Sequence, residues 1–102
     1  MIHVVATIEV AASQRPAFLN IFRALAPQVR AEAGCLDYGP TVDLATDIPG
    51  LPAVRENAVT VVEKWADAAA LKAHLATAHM QAFFAQTKPL IKVIDIRVLQ
   101  PA

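Results

Sequence analysis

Glycine is scarce in this chain, with three residues in 102, and cysteine is scarcer, with one. Three glycines leave little material for a phosphate-cradling loop, so no nucleotide site is expected. The single Cys35 rules out an internal disulfide framework and makes a reducing, cytoplasmic setting the expectation. It follows Gly34 directly, with no base at a known spacing, and reads as a small core residue. An excess of one charge sign is lacking too: nine Lys and Arg balance nine Asp and Glu. That removes the electrostatic footprint of a nucleic-acid binder. No apolar run reaches the length of a membrane span, and Met1 leads straight into strand-like sequence without a signal peptide. No membrane partner is expected. G-x-S-x-G is absent, which excludes the nucleophile elbow of serine hydrolases.

Apolar residues are abundant instead, at 56% of the chain. Alanine supplies 21 residues of that excess, yet Val, Ile and Leu are plentiful as well. A length of 102 residues suits one domain, spanning 1–102, and one so small cannot easily hide this much apolar surface. Part of it is expected to be buried against another subunit.

Residues 2–10, IHVVATIEV, are β-branched and nearly all apolar, which predicts a buried strand. Ser13 is placed to cap a helix that tolerates Pro16 in its first turn. Phe18, Phe22, Leu25 and Val29 recur at i, i+4, i+7 and i+11, one stripe of an amphipathic helix. Pro27 is expected to kink or interrupt it near Ala26, and Gly34 to end it. A strand over 35–43 follows, weakened by Gly39 and Pro40. Pro49, Gly50 and Pro52 make 44–56 a surface loop longer than most hairpin connections. Residues 57–65 predict a third strand, Asp67 and Thr77 cap two helical pieces, Pro89 stops them, and 90–99 form the last strand.

The order is β-α-β-β-α-β, an α+β ferredoxin-like arrangement with a four-stranded antiparallel sheet and helices on one face. Strands 2–10, 57–65 and 90–99 lack a clean alternation of apolar and polar positions, as sheets covered on both sides do. A homodimer that packs two sheets face to face would cover the second side.

His74 and His79 would lie about 140° apart on one continuous helix, five residues at roughly 100° each. Zinc ligands on one helical face sit at i and i+4, so no metal site is expected. His74 stands between Leu71 and Leu75 at the edge of the apolar stripe. It reads either as a buried histidine bonded to backbone or as an imidazole facing a helix–sheet cavity, ready to exchange a proton. Trp65 and Tyr38 read as core aromatics or as walls for a flat ligand. Glu63 is either a carboxylate of the cavity or interface, or an edge-exposed charge.

The segments VRAEAGCLDY (29–38) and VVEKWADAAALKAHLATAHMQAF (61–83), followed by a terminal strand, resemble the antibiotic biosynthesis monooxygenase family. Its members show Arg-Ala-Glu-x-Gly-Cys-x-x-Tyr after the first helix, matched here from Arg30 to Tyr38. They also show Glu-x-Trp-x-x-x-x-Ala-Leu-x-x-His and a second His followed by Phe. Glu63, Trp65, Ala70, Leu71, His74, His79, Met80 and Phe83 stand at those positions. The resemblance implies a dimeric α+β barrel and, in many members, oxygenation of quinol- or anthrone-like aromatics by dioxygen without metal or flavin. It implies His74 as base or hydrogen-bonding group. Trp65, Tyr38, His79 and Phe83 would bind the substrate, with His79 at the pocket mouth.

Two departures stand out. Val61 replaces the amide that anthrone-oxidising members carry four residues before the strand Trp. Phe84 stands where haem-degrading relatives place their iron ligand, so haem is disfavoured. Two other functions compete: an isomerase or other proton-transfer enzyme on a small carbonyl compound, and a non-catalytic dimeric ligand-binding module. A mostly apolar cavity lined by Trp65 and His74 favours the oxygenase. A phosphate site beside Lys or Arg favours the isomerase, and a cavity filled by Phe18, Phe22 and Phe83 favours the module.

Overall fold

The computed structural model describes residues 1–102. Its order is β1 (Ile2–Val10), α1 (Arg15–Arg30), β2 (Cys35–Thr41), β3 (Ala58–Trp65), α2 (Ala68–Leu75), α3 (Ala78–Thr87) and β4 (Ile91–Leu99). The strands form one antiparallel sheet in the order β2-β3-β1-β4. This is the ferredoxin-like topology that the order of elements predicted.

Strand β1 does alternate. Val4, Ala6, Ile8 and Val10 are buried, whereas His3, Val5, Thr7 and Glu9 point the other way. Register carries the same division across the sheet. Val4 faces Glu63 and Val98, Ala6 faces Val61 and Ile96, and Ile8 faces Val59 and Ile94. The core lies between this face and the helices. Phe18, Phe22, Leu25 and Val29 enter it from α1, as their spacing requires. Rings of Phe18, Phe22 and Phe83 meet edge-on or tilted, with centroids 5.8–6.2 Å apart. The opposite sheet face mixes Val5, Val62 and Val93 with Thr7, Thr60, Lys64, Asp95 and Arg97. It is less apolar than the sequence suggested.

Local signals worked unevenly. Asp67 accepts a hydrogen bond from the backbone N–H of Ala70 at 2.8 Å, and Thr77 accepts one from Met80 at 3.3 Å, so both caps form. Ser13 does not cap α1. It adopts a positive φ of 66°, and Gln14 takes the cap position without a side-chain bond. Helix α1 also continues through Pro27 to Arg30. Pro27 and Arg23 both lie on the exposed side, where water can serve the carbonyl that proline leaves unpaired. The 44–56 segment contains no helix or strand and is exposed throughout.

Gly34 positions the site. Its φ of +81° suits glycine, and a Cβ built there would lie 2.6 Å from the Cβ of Ala70. Its carbonyl accepts the N–H of Ala66 at 2.8 Å. The turn after α1 therefore sits tight against the start of α2.

Candidate active site

That close approach brings Glu32, in the turn after α1, within reach of two imidazoles. Oε2 of Glu32 lies 2.9 Å from Nδ1 of His74 and 2.7 Å from Nε2 of His79. A carboxylate can only accept, so the hydrogens belong on those two nitrogens. In its neutral form His74 then carries its lone pair on Nε2. That atom makes no hydrogen bond within the chain, yet no fully buried side-chain nitrogen or oxygen lacks a partner. Since His74 is only 2% exposed, the free Nε2 opens into the cavity that the residue lines.

This cavity lies between helices and sheet. Val4, Ala6, Val61, Phe22, Met80 and Phe83 form its inner wall, and Leu75 and Phe84 stand at its rim. On β4, Ile94, Ile96 and Val98 line it while staying 45–53% exposed, because no helix covers that edge. About 100 Å³ is enclosed. Drug-sized ligand sites hold roughly 300–1,000 Å³, so the cavity suits a small molecule that lies partly over β4. Polar groups gather at one end. Tyr38 and Glu63 are cross-strand partners, and the Tyr38 ring lies 5.6 Å from that of His74. No Lys or Arg lines the cavity.

Trp65 is not in the wall. It is 0% exposed and lies behind His74, with ring centroids 4.6 Å apart. Its indole N–H donates to Oε1 of Glu63 at 2.8 Å. Trp65, expected at the substrate, thus stands behind the cavity rather than in its wall, because a residue ending β3 beneath α2 has no open side. His79 is displaced as well. It does not line the cavity but faces a groove between α1 and α3, beside Leu25, Gln28 and Gln86. Its ring is turned away by the bond to Glu32. Tyr38, Phe83 and His74 do line the cavity as expected.

Glu32 is the residue that sequence reasoning left without a role. It was visible within the Arg30–Tyr38 motif, but a turn residue has no periodicity to tell where its side chain points. No group of three or more His, Cys, Asp and Glu is arranged to hold a metal ion.

Burial pushes three groups up. Tyr38 rises well above the usual phenol range, first by burial and then by the nearby carboxyls of Glu63 and Glu32. Burial also raises Glu63, opposed by the Trp65 hydrogen bond and the proximity of His74. Cys35 is raised by burial and by Glu32, which makes it a poor nucleophile.

Comparison with known proteins bears on the family of the chain. Residues 1–86 match the family model described as antibiotic biosynthesis monooxygenase. The probable quinol monooxygenase YgiN of Escherichia coli is 35% identical over 103 residues, covering 99% of this chain and 98% of that protein. PA3566 from Pseudomonas aeruginosa superposes with a TM-score of 0.82 at 30% identity, covering 99% of this chain and 93% of its own. SO0527 from Shewanella oneidensis gives 0.77 at 31% identity, over 95% and 86%. The chain belongs to the antibiotic biosynthesis monooxygenase family.

Proposed function

We propose that this chain is a cofactor-independent monooxygenase that oxidises a small electron-rich aromatic, quinol- or anthrone-like, with dioxygen. The observation that carries the reading is the free Nε2 of His74, anchored through Nδ1 by Glu32 and opening into a mostly apolar cavity. The quinol monooxygenase among the relatives supports the same substrate class.

A phenolic hydroxyl seated beside His74 gives its proton to Nε2, and the electron pair stays on the substrate oxygen. Glu32 balances the positive charge that the ring then carries. The phenolate is electron-rich enough to reduce dioxygen, and a bond forms between a ring carbon and one oxygen atom. Cleavage of the O–O bond releases the other oxygen as water. Substrate AH2 and O2 become AO and H2O, with all four electrons supplied by the substrate. Tyr38, Phe22 and Phe83 orient the ring, and the apolar wall keeps bulk water from the reacting atoms. Trp65 stiffens the back of His74.

The absence of Lys and Arg from the wall counts against a phosphorylated carbonyl substrate. Phe22 and Phe83 line the cavity without closing it, which counts against a purely structural module. The test is oxygen consumption with a panel of quinols and anthrones, with and without added metal and flavin. Uptake equimolar with substrate, unchanged by chelator, is the expected result. No uptake with any aromatic on the panel would overturn the reading.

A further inference from the structure

Glu63 carries the one carboxyl of the cavity wall, and the base chemistry above does not use it. It is 7% exposed, and Oε1 is taken by the indole N–H of Trp65 at 2.8 Å. Oε2 makes no hydrogen bond within the chain. Because no fully buried side-chain oxygen is left unpartnered, Oε2 opens into the cavity. The hydroxyl of Tyr38, across the strand pair, is in the same position: buried residue, no partner, cavity side. Two oxygens that can carry hydrogens thus share one end of the cavity with the free nitrogen of His74.

We propose that Glu63 and Tyr38 form an oxyanion-binding pair, each donating an O–H to the substrate oxygen that loses its proton to His74. This rests on the oxygenase reading above and adds the group that makes the deprotonation favourable. The proton moves from the substrate hydroxyl to Nε2, the electron pair stays on oxygen, and Glu63 and Tyr38 keep their own protons. Donors aimed at developing charge in a site screened from water are among the strongest catalytic devices. An acid held neutral by apolar surroundings can serve in that way.

The surroundings of Glu63 fit a neutral acid. Facing it are Tyr38 from β2, His74 from α2, and Glu32 and Cys35 from the turn and the start of β2. Val4 and Val98 on β1 and β4, Phe22 on α1, and Met80 and Phe83 on α3 add no titratable group. No Lys or Arg lines the cavity to hold a second anion, and Lys64 points to the other sheet face. Burial raises the Glu63 carboxyl and the Tyr38 phenol alike, which favours the O–H form of both.

The test compares binding of a nitronaphtholate, acidic enough to be an anion at neutral pH and below, with that of the matching methyl ether. It is read by fluorescence of Trp65, the only tryptophan in the chain. Glu63→Leu and Tyr38→Phe are each expected to weaken nitronaphtholate binding by roughly 10-fold to 10²-fold while leaving the ether within about threefold. Glu63→Gln keeps an N–H donor and should stay close to wild type. Its anion affinity should also hold as pH rises, whereas the wild type loses affinity once Glu63 ionises. Equal losses for anion and ether would overturn the proposal, as would a Gln variant that repeats the wild-type pH dependence. In either case oxygen uptake by the wild type would leave the oxygenase reading standing. Failure of both ligands to bind, with no oxygen uptake, would overturn both.

Discussion

Nδ1 of His74 lies 2.9 Å from Oε2 of Glu32, although 42 positions of sequence separate the two residues. The contact joins α2 to the turn after α1 and leaves the other ring nitrogen free for substrate. Glu32→Gln keeps the shape but removes the charge. Turnover is expected to fall by about 10-fold to 10²-fold, less than for loss of a general base itself. Steady-state kinetics on the purified variant check this. A change in KM alone would show that Glu32 does not act through His74.

The two histidines should behave differently. His74→Gln is expected to lower kcat by roughly 10²–10⁴, the usual scale for a general base. Glutamine is preferable to alanine, because His74 packs on Trp65 and its loss would leave Glu32 short of a partner in a tight site. His79→Ala touches no cavity wall and should reduce kcat less than tenfold. Its cost is expected in stability, about 1 kcal/mol for the lost hydrogen bond to Glu32. Kinetics and thermal melts on both variants separate the two effects.

Stability should carry the mark of Glu63. Its carboxyl is raised in the folded protein, so the fold holds a proton there that the unfolded chain has already released. The contribution is full below the ordinary glutamate value, about 4.3, and is lost as pH climbs through the raised value. Glu63→Gln cannot ionise. Relative to wild type it should therefore gain stability as pH rises from the ordinary glutamate value through the raised one, measured by parallel melts. A difference that stays flat with pH would show that Glu63 titrates normally.

The 44–56 loop is fastened at its base. Arg55 meets Asp43 through both its guanidinium and its backbone N–H, each contact 2.9 Å long. Those hydrogen bonds hold the Asp43 carboxyl well below the usual range. Asp43→Asn should speed proteolytic nicking between residues 44 and 54 without lowering the melting temperature by more than a few degrees. Timed digestion is the measurement. Unchanged digestion would place the restraint elsewhere in the loop.

Dimerisation through the outer sheet face is also expected. Val62, Val93 and Leu99 are 39–56% exposed there among threonines and charges. Sedimentation at micromolar concentration should give a dimer, and Val62→Lys should weaken it. A wild-type monomer under those conditions would rule the interface out.

The topology of this protein was legible in the sequence because its signals are local. Phe18, Phe22, Leu25 and Val29 mark one helix face, Asp67 and Thr77 cap their helices, and Pro89 follows the end of α3. Each depends on residues within a few positions, where periodicity and capping act. Signals that compete with tertiary packing misled: Pro27 did not stop α1, and Ser13 did not cap it. Chemical identity was partly legible. His74, Tyr38 and Phe83 were expected at the cavity and line it. What only the tertiary structure decided is direction. Gly34 lets the α1–β2 turn close on Ala70, and this turns Glu32 toward both histidines, His79 away from the cavity and Trp65 behind His74. The two Glu32 contacts span 42 and 47 positions of sequence, and no local spacing encodes them.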